Sequence, residues 1–459
     1  MRGARRSLAM ALAVCAWLAA PAAHAARPTS ERADPVGESL GRFDGDGFEI
    51  YGWRLRLQSA ARGIYARDVI LPGRGEFLLR HRLRADATFF DKLDLRADGR
   101  VNLRYRRDRA NRDDVVVDGE LSEAWLRLRD PFGLDGAFVQ LGRMRLRDDR
   151  SYLWDEDIEA LRAGFRSSLW SGFAGYGGRL SQGNIEDDGR RDLLRDFGWF
   201  FAELRHQWRY EQTLEARVLQ QRDFGGNPSL GEFSERFASN EDLLWLSGRA
   251  AGRIGRGGGP EALRYWLDVS WLGGDELRLT RDAAQRVTGR RSGSVSEWAF
   301  DLGASLELDL SWRTAFTVSY AAGSERFRQP LLARNRAPFT GPVRFRRLGE
   351  VLRPGLSNLH VLTLAVGTEV GPQIWLETVF HRYWQDEASS FLVDDALVEQ
   401  PLGSDRDLGW AVDVVAGLQL AQRWQYVMAY GVFVAGDAFG AREGKAAHRL
   451  TLFLRKEWP

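Results

Sequence analysis

Arg143, Arg145 and Arg147 recur at every second position of Leu141-Gly142-Arg143-Met144-Arg145-Leu146-Arg147, and Arg80, Arg82 and Arg84 repeat the spacing. On an extended chain alternate side chains share a face, so each run projects a row of guanidinium groups in one direction. A guanidinium offers a carboxylate two parallel N–H donors, which an ammonium cannot do. Such rows suit the holding of anions; with acidic residues across from them they instead stiffen a sheet through ion pairs. Lys92, Lys445 and Lys456 are the only lysines among 65 basic residues, so arginine supplies the other 62, a bias that codon usage in a GC-rich genome is enough to produce.

The elements that must position these rows are strands. From Trp298 to Trp312, the residues Trp298, Phe300, Leu302, Ala304, Leu306, Leu308, Leu310 and Trp312 fall on one face, while Asp301, Ser305, Glu307 and Asp309 fall on the other. An apolar face of that length, closed by Trp at both ends, is the signature of a barrel wall between two aromatic girdles. Leu93, Leu95, Val101, Leu103 and Tyr105 oppose Asp94, Arg96, Asp98, Arg100, Asn102, Arg104 and Arg106 in the same way. The charged face must be luminal, because one Arg on the lipid side at mid-bilayer costs about 2–4 kcal/mol.

Eighteen such stretches run through residues 48–459, joined by connections that alternate between long and short. Examples are 59–75 then Asp91-Lys92, 108–119 then Asp130 to Gly136, 273–295 then Leu310-Ser311, and 324–357 then Gly371-Pro372. The expected fold is therefore all-β: a closed antiparallel transmembrane β-barrel of about 18 strands, with short periplasmic turns, long extracellular loops and both termini periplasmic. A barrel of that size leaves a lumen too wide for side chains alone to fill.

The first residues place the chain. Arg2, Arg5 and Arg6 precede an apolar run from Leu8 to Ala20 and then Ala23-His24-Ala25, the layout of a secretory signal peptide over 1–25. Residues 26–47 read as a periplasmic lead-in and 48–459 as the barrel. The single Cys15 lies in the signal, so no disulfide or thiol ligand is expected beyond it. No run of about 18 apolar residues follows, which rules out a membrane-crossing helix but not a barrel.

Chemistry other than passage is poorly supported. His81, His206, His360, His381 and His448 show no metal-ligand spacing, and there is no nucleophile elbow or phosphate loop. Gly255 to Gly259 reads as a turn, and Glu186-Asp187-Asp188 and Asp394-Asp395 as solvated loop charge. We expect no enzyme, no cofactor, no metal and no nucleic-acid partner.

The longest connection, between Ala333 and Asn358, carries Arg334, Arg336, Arg344, Arg346, Arg347 and Arg353 together with Pro338, Pro342 and Pro354. A long ordered loop of this kind commonly folds inward to narrow a pore. Left outside, the same cations would meet lipopolysaccharide phosphates. Asp301, Glu307 and Asp309 are expected to be luminal counter-charges that soften the hold of an arginine-rich pore on its anionic cargo.

The stretch Val139 to Asp149, followed by Trp154-Asp155 and Ile158-Glu159-Ala160, resembles the alginate export family of outer-membrane porins. So do Trp271-Leu272-Gly273-Gly274-Asp275, Trp298-Ala299-Phe300-Asp301, Phe339-Thr340-Gly341, Leu356-Ser357-Asn358-Leu359 and Gly436-Asp437-Ala438-Phe439-Gly440, in that order along the chain. The resemblance implies a monomeric eighteen-stranded barrel whose arginine-rich constriction passes a polyuronate outward. It places Arg344 and Arg353 in that constriction, joined by one or more of Arg143, Arg145 and Arg147. Members of the family carry a long periplasmic loop near the sixteenth and seventeenth strands, where this chain has only Ala421-Gln422-Arg423. The function expected is an anion-selective channel exporting alginate or a related carboxylated polysaccharide, in contact with outer-membrane lipid and served by periplasmic secretion partners. The alternative is a porin that takes up small organic anions.

Overall fold

A computed structural model describes residues 48–50, 53–67, 73–107, 113–179, 196–233, 238–255, 261–282, 286–310, 312–338, 344–371, 373–393, 396–397, 399–420 and 423–458. The expected signal peptide and lead-in, the turn over 256–260, Glu186-Asp187-Asp188, Phe339-Thr340-Gly341, Asp394-Asp395 and Ala421-Gln422 lie outside the described residues.

The wall begins with β1 (Trp53–Arg67), β2 (Arg74–Phe89), β3 (Leu93–Arg107), β4 (Asp113–Arg129), β5 (Ala137–Arg147) and β6 (Asp155–Arg166). It continues with β7 (Trp170–Gly178), β8 (Phe197–Arg209), β9 (Gln212–Asp223), β10 (Ala238–Gly255), β11 (Ala262–Arg281) and β12 (Val287–Asp309). The last six are β13 (Arg313–Gly323), β14 (Leu359–Glu369), β15 (Ile374–Trp384), β16 (Asp407–Leu420), β17 (Trp424–Ala435) and β18 (Ala446–Glu457). Each pairs antiparallel with its neighbours in sequence, and β1 pairs with β18 from Gln58–Glu457 to Arg67–His448, which closes the barrel. Closure satisfies every edge that lipid could not. Phe48–Ile50 folds back on the start of β1.

The period of two is visible in the exposure of β12. Trp298 is 46% exposed and Leu302 43%, whereas Asp301, Ser305 and Glu307 are buried inside. The same division puts Leu83 and Val101 outside and Arg80, Arg82, Arg84, Arg100 and Arg104 inside. Several strands run further than expected. β11 reaches Arg281 and β12 starts at Val287, so strand takes up most of the loop expected over 273–295. β1 reaches Arg67 and β4 starts at Asp113, so 59–75 and 108–119 shrink in the same way. Beyond the bilayer a ladder keeps its hydrogen bonds but no longer needs an apolar face, so the alternation that marks a strand in the sequence fades before the strand ends.

The interior is not uniformly wet. Trp154, Trp199, Leu219, Trp245, Phe327, Leu352, Tyr383 and Phe433 belong to one apolar cluster buried inside the barrel. Wall strands contribute part of it; the rest comes from connections that enter the lumen.

Candidate functional site

The β5–β6 hairpin leaves the wall. β5 pairs with β4 only up to Arg143–Ala124, and β6 pairs with β7 only from Glu159–Gly178, yet β5 and β6 stay paired to Arg147–Asp155. Gly142 sits at the departure point with φ +123, and a Cβ there would meet the Ala124 carbonyl oxygen at 2.3 Å. Only glycine accepts both conditions. Freed of lateral neighbours, the hairpin end turns inward. One face, with Met144, Leu146, Trp154 and Ile158, joins the apolar cluster; the other carries Arg145, Arg147, Asp155 and Asp157.

Residues 148–154 complete the hairpin tip. The Asp148 carboxylate accepts backbone N–H groups from Arg150 (3.0 Å), Tyr152 (2.9 Å), Leu153 (2.8 Å) and Trp154 (3.1 Å), so one side chain organises the whole turn. Its tip reaches strands far along the wall, with Arg150 3.1 Å from Asp301 on β12.

The described parts of the 324–358 connection, 324–338 and 344–358, also lie inside, with Phe327, Leu332, Phe345, Leu352 and Leu356 buried. The Trp245 indole donates to the Arg328 carbonyl at 2.8 Å, the Tyr383 hydroxyl to the Leu348 carbonyl at 3.0 Å, and the Glu350 amide to Asp413 at 2.9 Å. Arg336–Ala337 and Phe345–Arg346 pair as a small two-stranded sheet within it. Part of the 385–406 connection touches it, the Ala396 amide donating to the Leu352 carbonyl at 2.7 Å.

These two entries bring several of the expected site residues together. Arg145 donates to Asp155 at 2.7 Å and Arg147 at 2.9 Å; Arg344 donates to the Ser151 hydroxyl at 2.8 Å, which in turn donates to Asp155 at 2.7 Å. Arg336 also acts on Asp155 electrostatically. Two guanidinium groups therefore bind one carboxylate directly and a third reaches it through Ser151, with Asp157 3.2 Å from Arg145 as a second carboxylate. The side chains of Arg145 and Arg147 keep 23% and 32% of their surface exposed.

Arg143 stands apart, 3% exposed and bound to Glu159 at 2.5 Å where the hairpin leaves the wall. Arg353 forms a second group: it donates to Glu350 at 2.8 Å and lies, with Arg62 and Arg74, in the field of Arg449. Burial alone would raise the pKa of Glu350, but Arg353 and the Arg346 amide hold it below its ordinary 4.5.

Asp301, Glu307 and Asp309 occupy three different settings. Asp301 is enclosed beneath the loops, Glu307 is bound by Arg264 at 2.5 Å and Arg253 at 3.5 Å, and Asp309 is exposed at the end of β12. Sequence reasoning missed Arg449, although it shares the inward face of Thr451, Phe453 and Arg455 and one further step of the alternation reaches it. It also missed Arg150 and Asp155. No period marks Arg150; a turn-forming Asp148 two residues earlier was the available signal.

A closed antiparallel barrel of eighteen strands, apolar outside and polar within, defines the class: this is an outer-membrane porin. Solved porins share the fold, among them OpdQ of Pseudomonas aeruginosa (TM-score 0.59, 11% identity, 89% of this chain and 100% of that one). OpdK of the same organism, solved with vanillate, has a TM-score of 0.57 at 11% identity, over 88% of this chain and 98% of that one. Residues 62–453 match the family described as Alginate export, and the chain belongs to it. Curated relatives include the alginate production protein AlgE of Pseudomonas aeruginosa, 29% identical over 354 residues, 71% of this chain and 72% of that protein. AlgE of Azotobacter vinelandii is 25% identical over 299 residues, covering 60% and 61%.

Proposed function

We propose that the protein is an anion-selective channel that exports alginate or a closely related carboxylated polysaccharide across the outer membrane. The observation that carries this reading is the meeting of Arg145, Arg147 and Arg344 around Asp155 and its Ser151 partner on two in-turned segments. A polyuronate presents one carboxylate per sugar, and partly exposed guanidinium groups offer it successive two-pronged sites. Asp155 and Asp157 share those arginines, as Glu350 shares Arg353, and keep each site weak enough to release the chain, as conduction requires. Arg353 and Arg449 supply a second set. In this reading the inward connections enter from the cell surface, both termini are periplasmic, the barrel works as a monomer, and periplasmic secretion proteins deliver the polymer.

Single-channel recording of the purified protein in lipid, with and without oligouronates, tests the proposal. We expect anion selectivity and a block that strengthens with oligomer length. Arg344→Glu and Arg353→Glu should each shift the reversal potential toward cations. A cation-selective wild type, or an unchanged reversal potential in both variants, would sink the assignment. Equal block by a monouronate and a long oligomer would favour uptake of small organic anions instead.

A further inference from the structure

The carboxylate of Asp301, 1% exposed on β12, is approached from three elements at once. Arg150 of the 148–154 connection donates to it at 3.1 Å, Arg347 of the 324–358 connection donates to it, and Trp266 on β11 donates its indole N–H at 2.8 Å. The Arg150 guanidinium also lies 4.2 Å from the centre of the Trp266 ring, and Arg347 donates to Asn335 of its own loop at 2.8 Å. Asp301 is thus a wall carboxylate shared by the 148–154 and 324–358 segments.

Two buried guanidinium groups on separate loops repel one another. The segments are joined to each other by the Arg334 and Asn335 amides, which donate to the Ser151 carbonyl at 3.0 and 2.9 Å, but those bonds leave the two guanidinium charges unanswered, and a buried charge left without its partner is strongly unfavourable. Asp268, on β11, adds attraction at longer range, 3.8 Å from Arg150, but forms no hydrogen bond with it. The wall itself does not depend on these contacts, because β12 is held by its ladders to β11 and β13.

We propose that Asp301 is a positioning residue of the constriction: it latches the 148–154 and 324–358 segments to the wall and thereby sets where Arg145, Arg147 and Arg344 stand. Its consequence for transport rests on the channel reading above; the latch itself does not. Asp301→Asn keeps the shape of the side chain and removes its charge, leaving Arg150 and Arg347 to separate.

Hydrogen exchange of the full-length protein, compared between peptides covering 148–154 and 344–352 and peptides from β12 and β13, reads the latch directly. In Asp301→Asn we expect faster exchange in the two loops, unchanged protection in the strands, and a single conductance level replaced by several larger ones. Arg347→Gln, as an independent second variant, should do the same, and the double variant should add little to either. Asp301→Glu should restore wild-type exchange and conductance. Unchanged loop exchange in both single variants overturns the proposal, as does loss of the folded barrel in Asp301→Asn, since the carboxylate would then be holding the wall. If oligouronate fails to block even the wild type, the transport reading falls while the exchange data still decide the latch.

Discussion

Asp148 and Glu350 are single carboxylates that each organise an in-turned segment. Burial would raise the pKa of Asp148, but Arg217 and the amides of Tyr152, Trp154 and Leu153 hold it below its ordinary 3.8, as Arg353 does for Glu350 below 4.5. Both therefore bind protons less readily in place than when released. Their contribution is fully present above the ordinary values and is lost as pH falls through the lowered ones. The hold of these two carboxylates on their segments should accordingly persist down to about pH 5 and loosen below about pH 4, where single-channel recording should show larger, multi-level conductance. A rise centred near neutrality would show that some other group governs the loops.

At the scale of the element, the β5–β6 hairpin decides what its arginines do. Gly142 allows the strand to turn out of the wall at φ +123 with the Ala124 carbonyl against its Cα. Gly142→Val should cost about 1–3 kcal/mol through its backbone conformation alone and push the hairpin back toward the wall. The expected result is a lower melting temperature and a wider channel with weaker oligouronate block. An unaltered conductance would show that the hairpin reaches the lumen without this glycine.

For the whole molecule, 65 basic residues against 63 acidic ones describe a barrel whose charges largely answer one another. Arg82 and Arg84 share Asp98 at 2.5 and 2.7 Å, and Arg100 is bound to Glu120. Attraction of a polyanion then depends on the partly exposed groups, which salt screens, while enclosed pairs are screened much less. Raising salt from about 0.1 M to about 1 M shortens the screening length from about 10 Å to about 3 Å. Oligouronate block should weaken by about tenfold or more over that interval, and thermal unfolding of the barrel should barely move. A block indifferent to salt would point to sugar stacking rather than charge.

The alternation of apolar and polar residues was enough to read the barrel, its strand number and the side each residue faces, because a period of two is a local property of an extended chain. Trp298, Leu302 and Asp301 stand where that period places them. The same rule, carried through Gly142, would leave Arg143, Arg145 and Arg147 on one wall; the departure depends on the loss of neighbours in β4 and β7, which no local pattern records. Strand ends above the bilayer were hidden for a related reason, since lipid no longer selects their outer face. Tertiary structure alone decided that Arg344 joins Arg145 and Arg147 while Arg353 joins Arg449. It also turned Asp301 from a loose counter-charge into a shared anchor, because residues 151 and 46 positions away in the chain meet only once both loops are inside.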